Sequence, residues 1–248
     1  MPVDKIFTSD EANSAPFSFN ASVAAVFDDM LYRSVPLYSE TLGLQMTLAK
    51  RFYRPGTRMY DLGCSHGNFG IGFLEAAGDM DFSMIALDNS EPMLEIYKKR
   101  LSVRKGRERI RLCCEDICES RLENASVVVM NLTLQFLPLP MRKGLVCRIY
   151  DALVPGGILL LTEKVVHENT FLTDMQQELY YEFKAANGYS SLEISRKREA
   201  LENVLVPETM EAHQKRLAMA GFRKVEIYLK WFHFTSFLAV KEDKVCGV

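Results

Sequence analysis

The sequence predicts an α/β fold in which one mostly parallel sheet is flanked by helices. Three observations carry this. Short apolar runs alternate with helical periodicities between residues 58 and 162. The stretch Met59-Tyr60-Asp61-Leu62-Gly63-Cys64-Ser65-His66-Gly67 reads as the end of a buried strand, a tight glycine turn and the start of a helix. Two strand-like runs at the C-terminal end are separated by too few residues for anything but a hairpin, so one strand runs against the rest.

Residues 1–18 carry scattered Asp, Ser, Asn and Pro and read as a poorly ordered segment, which leaves residues 19–248 as one domain. Residues 22–53 are helical: Val23, Val26, Phe27 and Met30 recur at helical spacing, and Pro36 opens a second run through Leu42, Met46 and Ala49. Arg54-Pro55-Gly56 closes it. The first strand is 58–62, followed by a helix over 67–77. A second strand at 83–87 leads to a helix over 92–103 whose cap lies near Ser90. A third strand covers 110–114. The fourth, 126–130, is nearly all apolar, as a strand buried on both faces requires. A helix over 140–153 precedes Pro155-Gly156-Gly157, which turns into a fifth strand at 158–162. Residues 164–206 break this rhythm. They are helical, rich in Tyr, Lys, Arg and Glu, and interrupted at Asn187-Gly188-Tyr189, and so form an insertion before the last helix at 208–220, which Gly221 ends. Strands at 225–231 and 234–240 finish the fold and place a reversed strand at the sheet edge.

A chain of 248 residues is long enough to bury a large core. Its 30 basic and 32 acidic residues leave a net charge of -2, which supplies no strong field toward nucleic acid or an anionic membrane. The six cysteines (64, 113, 114, 118, 147 and 246) lack the C-x-x-C spacing of a zinc site and are expected to be free thiols, with no metal bound. No charged and apolar leader pattern opens the chain and no apolar run has membrane length, so a soluble, cytoplasmic protein is expected.

Ligands of an open parallel sheet sit beyond the carboxyl ends of its strands. Four such ends carry suggestive residues. The first is the Asp61–Gly67 turn. At the second, the Asp88 carboxylate can accept two hydrogen bonds from a vicinal diol, with Asn89 beside it. At the third, Asp116 can accept from an exocyclic amino group and Ile117 can cover a ring. At the fourth, the Asn131 amide can reach the amino-acid end of a ligand. Each feature alone has a bland reading as a turn glycine or a helix cap; four at successive strand ends point to a nucleoside. A dinucleotide turn needs G-x-G-x-x-G, and here the second glycine position is Ser65. Asp61 suits a sulfonium or ammonium group and would repel a phosphate.

The D-x-G-x-S-x-G form of this turn resembles the first motif of class I S-adenosylmethionine-dependent methyltransferases. That implies a Rossmann-like, seven-stranded, mostly parallel sheet with an antiparallel terminal hairpin strand. Further blocks resemble the carboxy-S-adenosyl-L-methionine synthase family: Tyr32-Arg33-Ser34-Val35-Pro36-Leu37-Tyr38-Ser39, Asn131-Leu132-Thr133-Leu134-Gln135-Phe136-Leu137, Phe183-Lys184 with Ala186-Asn187-Gly188-Tyr189-Ser190, and Leu192-Glu193-Ile194-Ser195 with Lys197-Arg198 and Leu201-Glu202-Asn203-Val204. The likeness runs from about Phe19 to Val240. It implies conversion of S-adenosyl-L-methionine and prephenate to carboxy-S-adenosyl-L-methionine, phenylpyruvate and water, with the product passed to a tRNA wobble-uridine carboxymethyltransferase. It also implies nucleoside contacts at Tyr38, Gly63, Cys64, Ser65, Asp88, Asn89, Asp116, Ile117 and Asn131. Arg198 matches the family's carboxylate-binding arginine, expected to reach the partner's site in a homodimer. His66 departs from the apolar residue usual at its position, and Asn68-Phe69 also differ.

The implied chemistry balances without a protein base. Loss of carbon dioxide and hydroxide aromatises prephenate, the hydroxide takes a proton from the sulfonium methyl, and that carbon captures the carbon dioxide. The protein's part is proximity and exclusion of water. Arg198 neutralises the new carboxylate with a planar fork; the opposing reading makes Arg196, Lys197 and Arg198 a solvated helix face. Tyr38 and Tyr189 are cavity or core residues, Trp231 packs the terminal hairpin, His213 is expected to be exposed, and His167 and His233 have no metal partner. Three alternatives share these features: an ordinary small-molecule methyltransferase, the downstream tRNA-modifying enzyme (which the neutral charge balance disfavours), and a non-catalytic cofactor-binding partner protein.

Overall fold

The computed structural model describes residues 2–8, 17–202 and 204–242. Two helices precede the sheet, α1 (Ala21–Ser34) and α2 (Tyr38–Phe52). Then β1 (Arg58–Leu62), α3 (Asn68–Ala77), β2 (Met84–Asp88), α4 (Glu91–Ser102), β3 (Ile110–Cys114), β4 (Ala125–Asn131), α5 (Leu139–Ala152) and β5 (Leu153–Val166) form the alternating series. The insertion supplies α6 (Thr170–Ala186) and α7 (Ser191–Leu201), and β6 (Glu208–Thr209), α8 (Met210–Ala220), β7 (Lys224–Trp231) and β8 (Phe234–Val240) complete the chain. Local chemistry sets several boundaries. Asn20 caps α1 through Val23 N–H, Ser90 caps α4 through Met93 N–H, and Ser190 with Glu193 forms a reciprocal capping box on α7.

The sheet runs β3-β2-β1-β4-β5-β8-β7, with the two-residue β6 paired to the far end of β5. β1 to β5 are parallel, and β8 is antiparallel to both its neighbours. The expected reversed edge strand is therefore corrected: β8 lies inside the sheet and β7 takes the edge. The reason is the side-chain pattern. Phe237 and Ala239 of β8 are buried, whereas β7 (KVEIYLKW) contains no fully buried residue. β5 is also longer than the predicted 158–162, because its pairing with β8 continues to Lys164 opposite Phe234.

One face of the sheet is covered by α2, α3 and α4, the other by α5 and α8. β4 sits between these layers with Val127, Val128, Val129 and Met130 fully buried, each contributing roughly 1.5–3 kcal/mol of transfer free energy. The expectation of poor order at the N-terminus is corrected for residues 2–8. Phe7 packs in a cluster with Val23, Phe27 and Met93, and Asp4 is buried, accepting from the Tyr189 hydroxyl at 2.6 Å while its backbone N–H donates to Asp29 Oδ2 at 2.7 Å. Residues 9–16 of the same segment lie outside the described residues.

His213, expected to be exposed, is buried, because the α8 period turns it inward together with Leu217 one turn on. Burial, reinforced by Arg216, pushes its imidazole down to about 4. Trp231 packs on Phe183 of α6 at 5.5 Å between ring centroids, so it joins the insertion to the terminal hairpin. Among the described residues Cys64, Cys113, Cys114, Cys118 and Cys147 are free thiols, and Cys246 lies outside them. No His, Cys, Asp and Glu cluster among the described residues has metal-site geometry, and no helix among them is long and apolar enough to cross a membrane.

Candidate functional site

The strand order reverses between β1 and β4: the chain proceeds from β1 toward β2 and β3 on one side, and from β4 toward β5 on the other. A crevice opens beyond the carboxyl ends at such a switch point. Here it is a cavity of about 880 Å³. Tyr38, Gly63, Cys64, Ser65, Asp88, Asn89, Asp116, Ile117, Asn131 and Arg198 all line it. Tyr189 does not; it lies in the packing beneath α1 and α7.

The turn after β1 needs its glycines. Gly63 has φ +74° and Gly67 φ +88°, both in the left-handed region. A Cβ on Gly63 would overlap the Thr133 side chain, and one on Gly67 the Tyr97 ring. Gly63 and Cys64 N–H groups both donate to the Leu87 carbonyl, at 2.8 and 3.0 Å. Ser65 N–H donates to Asp88 Oδ2 at 2.8 Å, and Ser90 N–H to Asp88 Oδ1 at 2.9 Å. Asp88 thus ties the turn to the start of α4, and each of its oxygens keeps acceptor capacity for a ligand. Asp116 is exposed and accepts from Cys118 N–H at 2.7 Å, with Ile117 buried beside it.

Two buried acceptors at the centre lack partners. Asp61 Oδ2 and Asn131 Oδ1 are fully enclosed without a hydrogen bond. Burial, helped by the Asp88 charge, pushes the Asp61 carboxyl up to about 8. Orphaned acceptors of this kind fit a ligand that brings N–H donors and positive charge. The sulfonium nucleoside meets that requirement.

The residues that depart from the family pattern support this wall. His66 is buried, with Nε2 3.1 Å from Asp28 Oδ1. Asn68 Nδ2 donates to Asp28 Oδ1 at 2.9 Å and to the Tyr38 hydroxyl at 3.2 Å, and Asn68 Oδ1 accepts from Arg100 at 2.8 Å. Burial raises Asp28, but His66, Asn68 and Arg100 outweigh it and hold the carboxyl at about 2. This network fixes Tyr38 against the cavity.

Sequence reasoning missed two groups. The first is Glu163, fully buried, whose Oε1 accepts from Thr133 and Leu134 N–H at 3.1 and 2.8 Å and whose Oε2 accepts from Gln135 N–H at 2.9 Å. It clamps the turn after Asn131, where Leu132 has φ +56°. The second is the lysines. Lys164, Lys184 and Lys197 all line the cavity. The reading of 196–198 as a solvated face is corrected: Arg196 and Lys197 are buried and Arg198 alone is exposed. The only local signal was Ile194 beside them on α7, whose period carries an inward stripe through a charged run. Arg198, expected to reach a partner's site, borders the cavity of its own chain.

A methyltransferase-domain family profile matches residues 59–157. The carboxy-S-adenosyl-L-methionine synthase of Desulforapulum autotrophicum is 54% identical over 244 residues, covering 98% of this chain and 99% of its own length. The enzyme of the same name from Trichlorobacter lovleyi is 44% identical over 239 residues, covering 96% of this chain and 98% of its own. This chain belongs to the carboxy-S-adenosyl-L-methionine synthase family. Its membership makes it a transferase that uses S-adenosyl-L-methionine. Among solved structures, human N-acetylserotonin methyltransferase in complex with its S-adenosylmethionine superposes with a TM-score of 0.62 at 17% identity, over 98% of this chain and 61% of that one. That likeness shows that this chain has the same fold. The profile match ends before α6, so the insertion carrying Lys184, Lys197 and Arg198 lies outside the matched residues.

Proposed function

We propose that the protein converts S-adenosyl-L-methionine and prephenate to carboxy-S-adenosyl-L-methionine, phenylpyruvate and water in this cavity. One observation carries the reading: a guanidinium, Arg198, borders the same cavity as the orphaned acceptors Asp61 and Asn131. A plain methyl transfer creates no carboxylate for a guanidinium to neutralise; carboxylation does.

Each residue has a role in the proposal. Asp88 and Asn89 hold the ribose hydroxyls. Asp116 accepts from the adenine amino group while Ile117 covers the ring. Gly63, Cys64 and Ser65 present backbone to the ligand, Tyr38 closes one wall, and Asn131 with Asp61 meets the amino-acid and sulfonium end. Hydroxide leaving prephenate takes the methyl proton and departs as water, and the released carbon dioxide forms the new carbon–carbon bond before it diffuses away. Holding both substrates in one cavity lets capture of these species outrun their escape to bulk water. The product supplies a carboxymethyl donor to a cytoplasmic tRNA wobble-uridine enzyme, without this protein touching the tRNA itself.

The test is mass spectrometry of the nucleoside after incubating purified protein with both substrates. A nucleoside heavier by one carboxyl group is expected, with phenylpyruvate formed in equal amount. Release of the demethylated nucleoside instead would make it an ordinary methyltransferase, and an unchanged nucleoside would make it a binding protein.

A further inference from the structure

The cavity has two electrical ends. Asp61, Asp88 and Asp116 come from the carboxyl ends of β1, β2 and the loop after β3, whereas Lys164, Lys184 and Lys197 come from β5, α6 and α7, outnumbering the Glu202 carboxylate that lines the cavity just after α7. In the strand order β3-β2-β1-β4-β5 the two sets lie on opposite sides of the switch point. The acidic side suits a sulfonium nucleoside. The basic side has no assigned ligand.

The lysines are placed together at some cost. Lys184 is 4% exposed, and its Nζ lies 4.5 Å from the Tyr180 ring centroid; Lys164 Nζ lies 5.0 Å from the same centroid. Lys197 is also 4% exposed and donates to Ser34 Oγ at 2.8 Å. Its ion-pair partner is Asp4, 3.8 Å away and already hydrogen-bonded to Tyr189, and the charges of Asp29 and Glu193 also favour its protonated form. Among the described residues no carboxylate pairs with Lys164 or Lys184. Burial, then repulsion from Lys197 and Lys164, pulls Lys184 well below the usual lysine value. Lys164 and Lys184, like charges with no such counter-charge, disfavour the fold unless an anion compensates them.

The geometry points to an anion subsite, formed by Lys164, Lys184 and Lys197, that grips the 2-oxo acid carboxylate of prephenate. This assignment rests on the prephenate reading above. Prephenate carries two carboxylates, and they have opposite needs. The ring carboxylate leaves as carbon dioxide and gives up its charge, so cations against it would stabilise the ground state and slow the loss. The side-chain carboxylate keeps its charge throughout and survives in phenylpyruvate. Lysines that hold it anchor the substrate without opposing the reaction, and leave Arg198 for the carboxylate newly made.

The experiment measures equilibrium binding of phenylpyruvate to the protein saturated with S-adenosyl-L-methionine, for wild type, Lys184→Met and Lys164→Met, beside the affinity of each for the nucleoside. Both variants are expected to bind phenylpyruvate at least about tenfold more weakly and to raise the KM for prephenate by a similar factor, with nucleoside affinity within about twofold of wild type. Phenylpyruvate binding unchanged in both variants overturns the subsite, as does a parallel loss of nucleoside affinity, which would make the lysines general supports of the cavity. Because phenylpyruvate binding needs no turnover, the result stands whether or not wild type makes the carboxylated product. Absence of that product defeats the proposed function separately.

Discussion

Asp61 works against the fold that holds it. Its carboxyl sits at about 8 against an ordinary 3.8, first through burial and then through the Asp88 charge. Between those two values the folded protein keeps a proton that the unfolded chain has released. Stability therefore falls as pH rises through this window, by at most about 1.4 kcal/mol per pH unit. A cationic ligand has the opposite preference and favours the carboxylate, so affinity for S-adenosyl-L-methionine should climb as pH rises toward about 8 and level off above it. Asp61→Asn should raise the melting temperature of the ligand-free protein at pH 8 and weaken the nucleoside about tenfold or more. Calorimetry across pH 6 to 9 checks both signs, and a lower melting temperature in the variant would contradict the account. Asp61 was legible in the chain because a strand, an acid and a glycine turn are local features. Lys184 was not, because nothing local distinguishes a lysine on an enclosed face from one in water.

The segment from Asn131 to Gln135 depends on a neighbouring strand. Glu163 on β5 accepts three successive backbone N–H groups there, and the left-handed Leu132 sits at the head of that turn. Glu163→Ala would leave those donors buried and unpaired, a loss of about 3 kcal/mol or more at roughly 1–3 kcal/mol per group. Glu163→Gln, which retains one acceptor oxygen, should lose less. Denaturant unfolding gives the magnitude, and amide hydrogen exchange at Thr133, Leu134 and Gln135 localises it; unaltered exchange in the alanine variant would show that the clamp is not formed. The end of β5 was misread at this point because a glutamate after an apolar run reads as a strand terminus. The three donors that satisfy it lie about thirty residues earlier in the chain.

At the scale of the whole molecule, Arg198 serves either the cavity of its own chain or that of a second copy. The family resemblance implies a homodimer with Arg198 acting across it, and within one chain Arg198 already borders its own cavity. Mixed dimers of Arg198→Ala and Asp61→Asn chains separate the two arrangements. If Arg198 acts across the dimer, the mixture, assayed at S-adenosyl-L-methionine too dilute to fill the Asp61→Asn site, should rise above both weakened parents toward about a quarter of wild-type carboxylation, the expected yield when half of random dimers are mixed and each holds one complete site. If it acts within its own chain, the mixture should remain as inactive as its parents. The insertion that bears Arg198 is itself held by residues from both ends of the chain: Asp4 meets Tyr189 and Lys197, and Trp231 meets Phe183.

Strand and helix succession, the glycine turn and the acids at strand ends were written into the chain, because periodicity and turn chemistry act over a few residues. The hairpin was legible too, since a short connection permits no other pairing. The burial of His213, the interior place of β8, the packing of Phe7 and Asp4, and the gathering of Lys164 and Lys184 around Tyr180 were settled by contacts between distant segments. Whether a charged group is buried depends on what folds over it, and that covering comes from elements tens to hundreds of residues away.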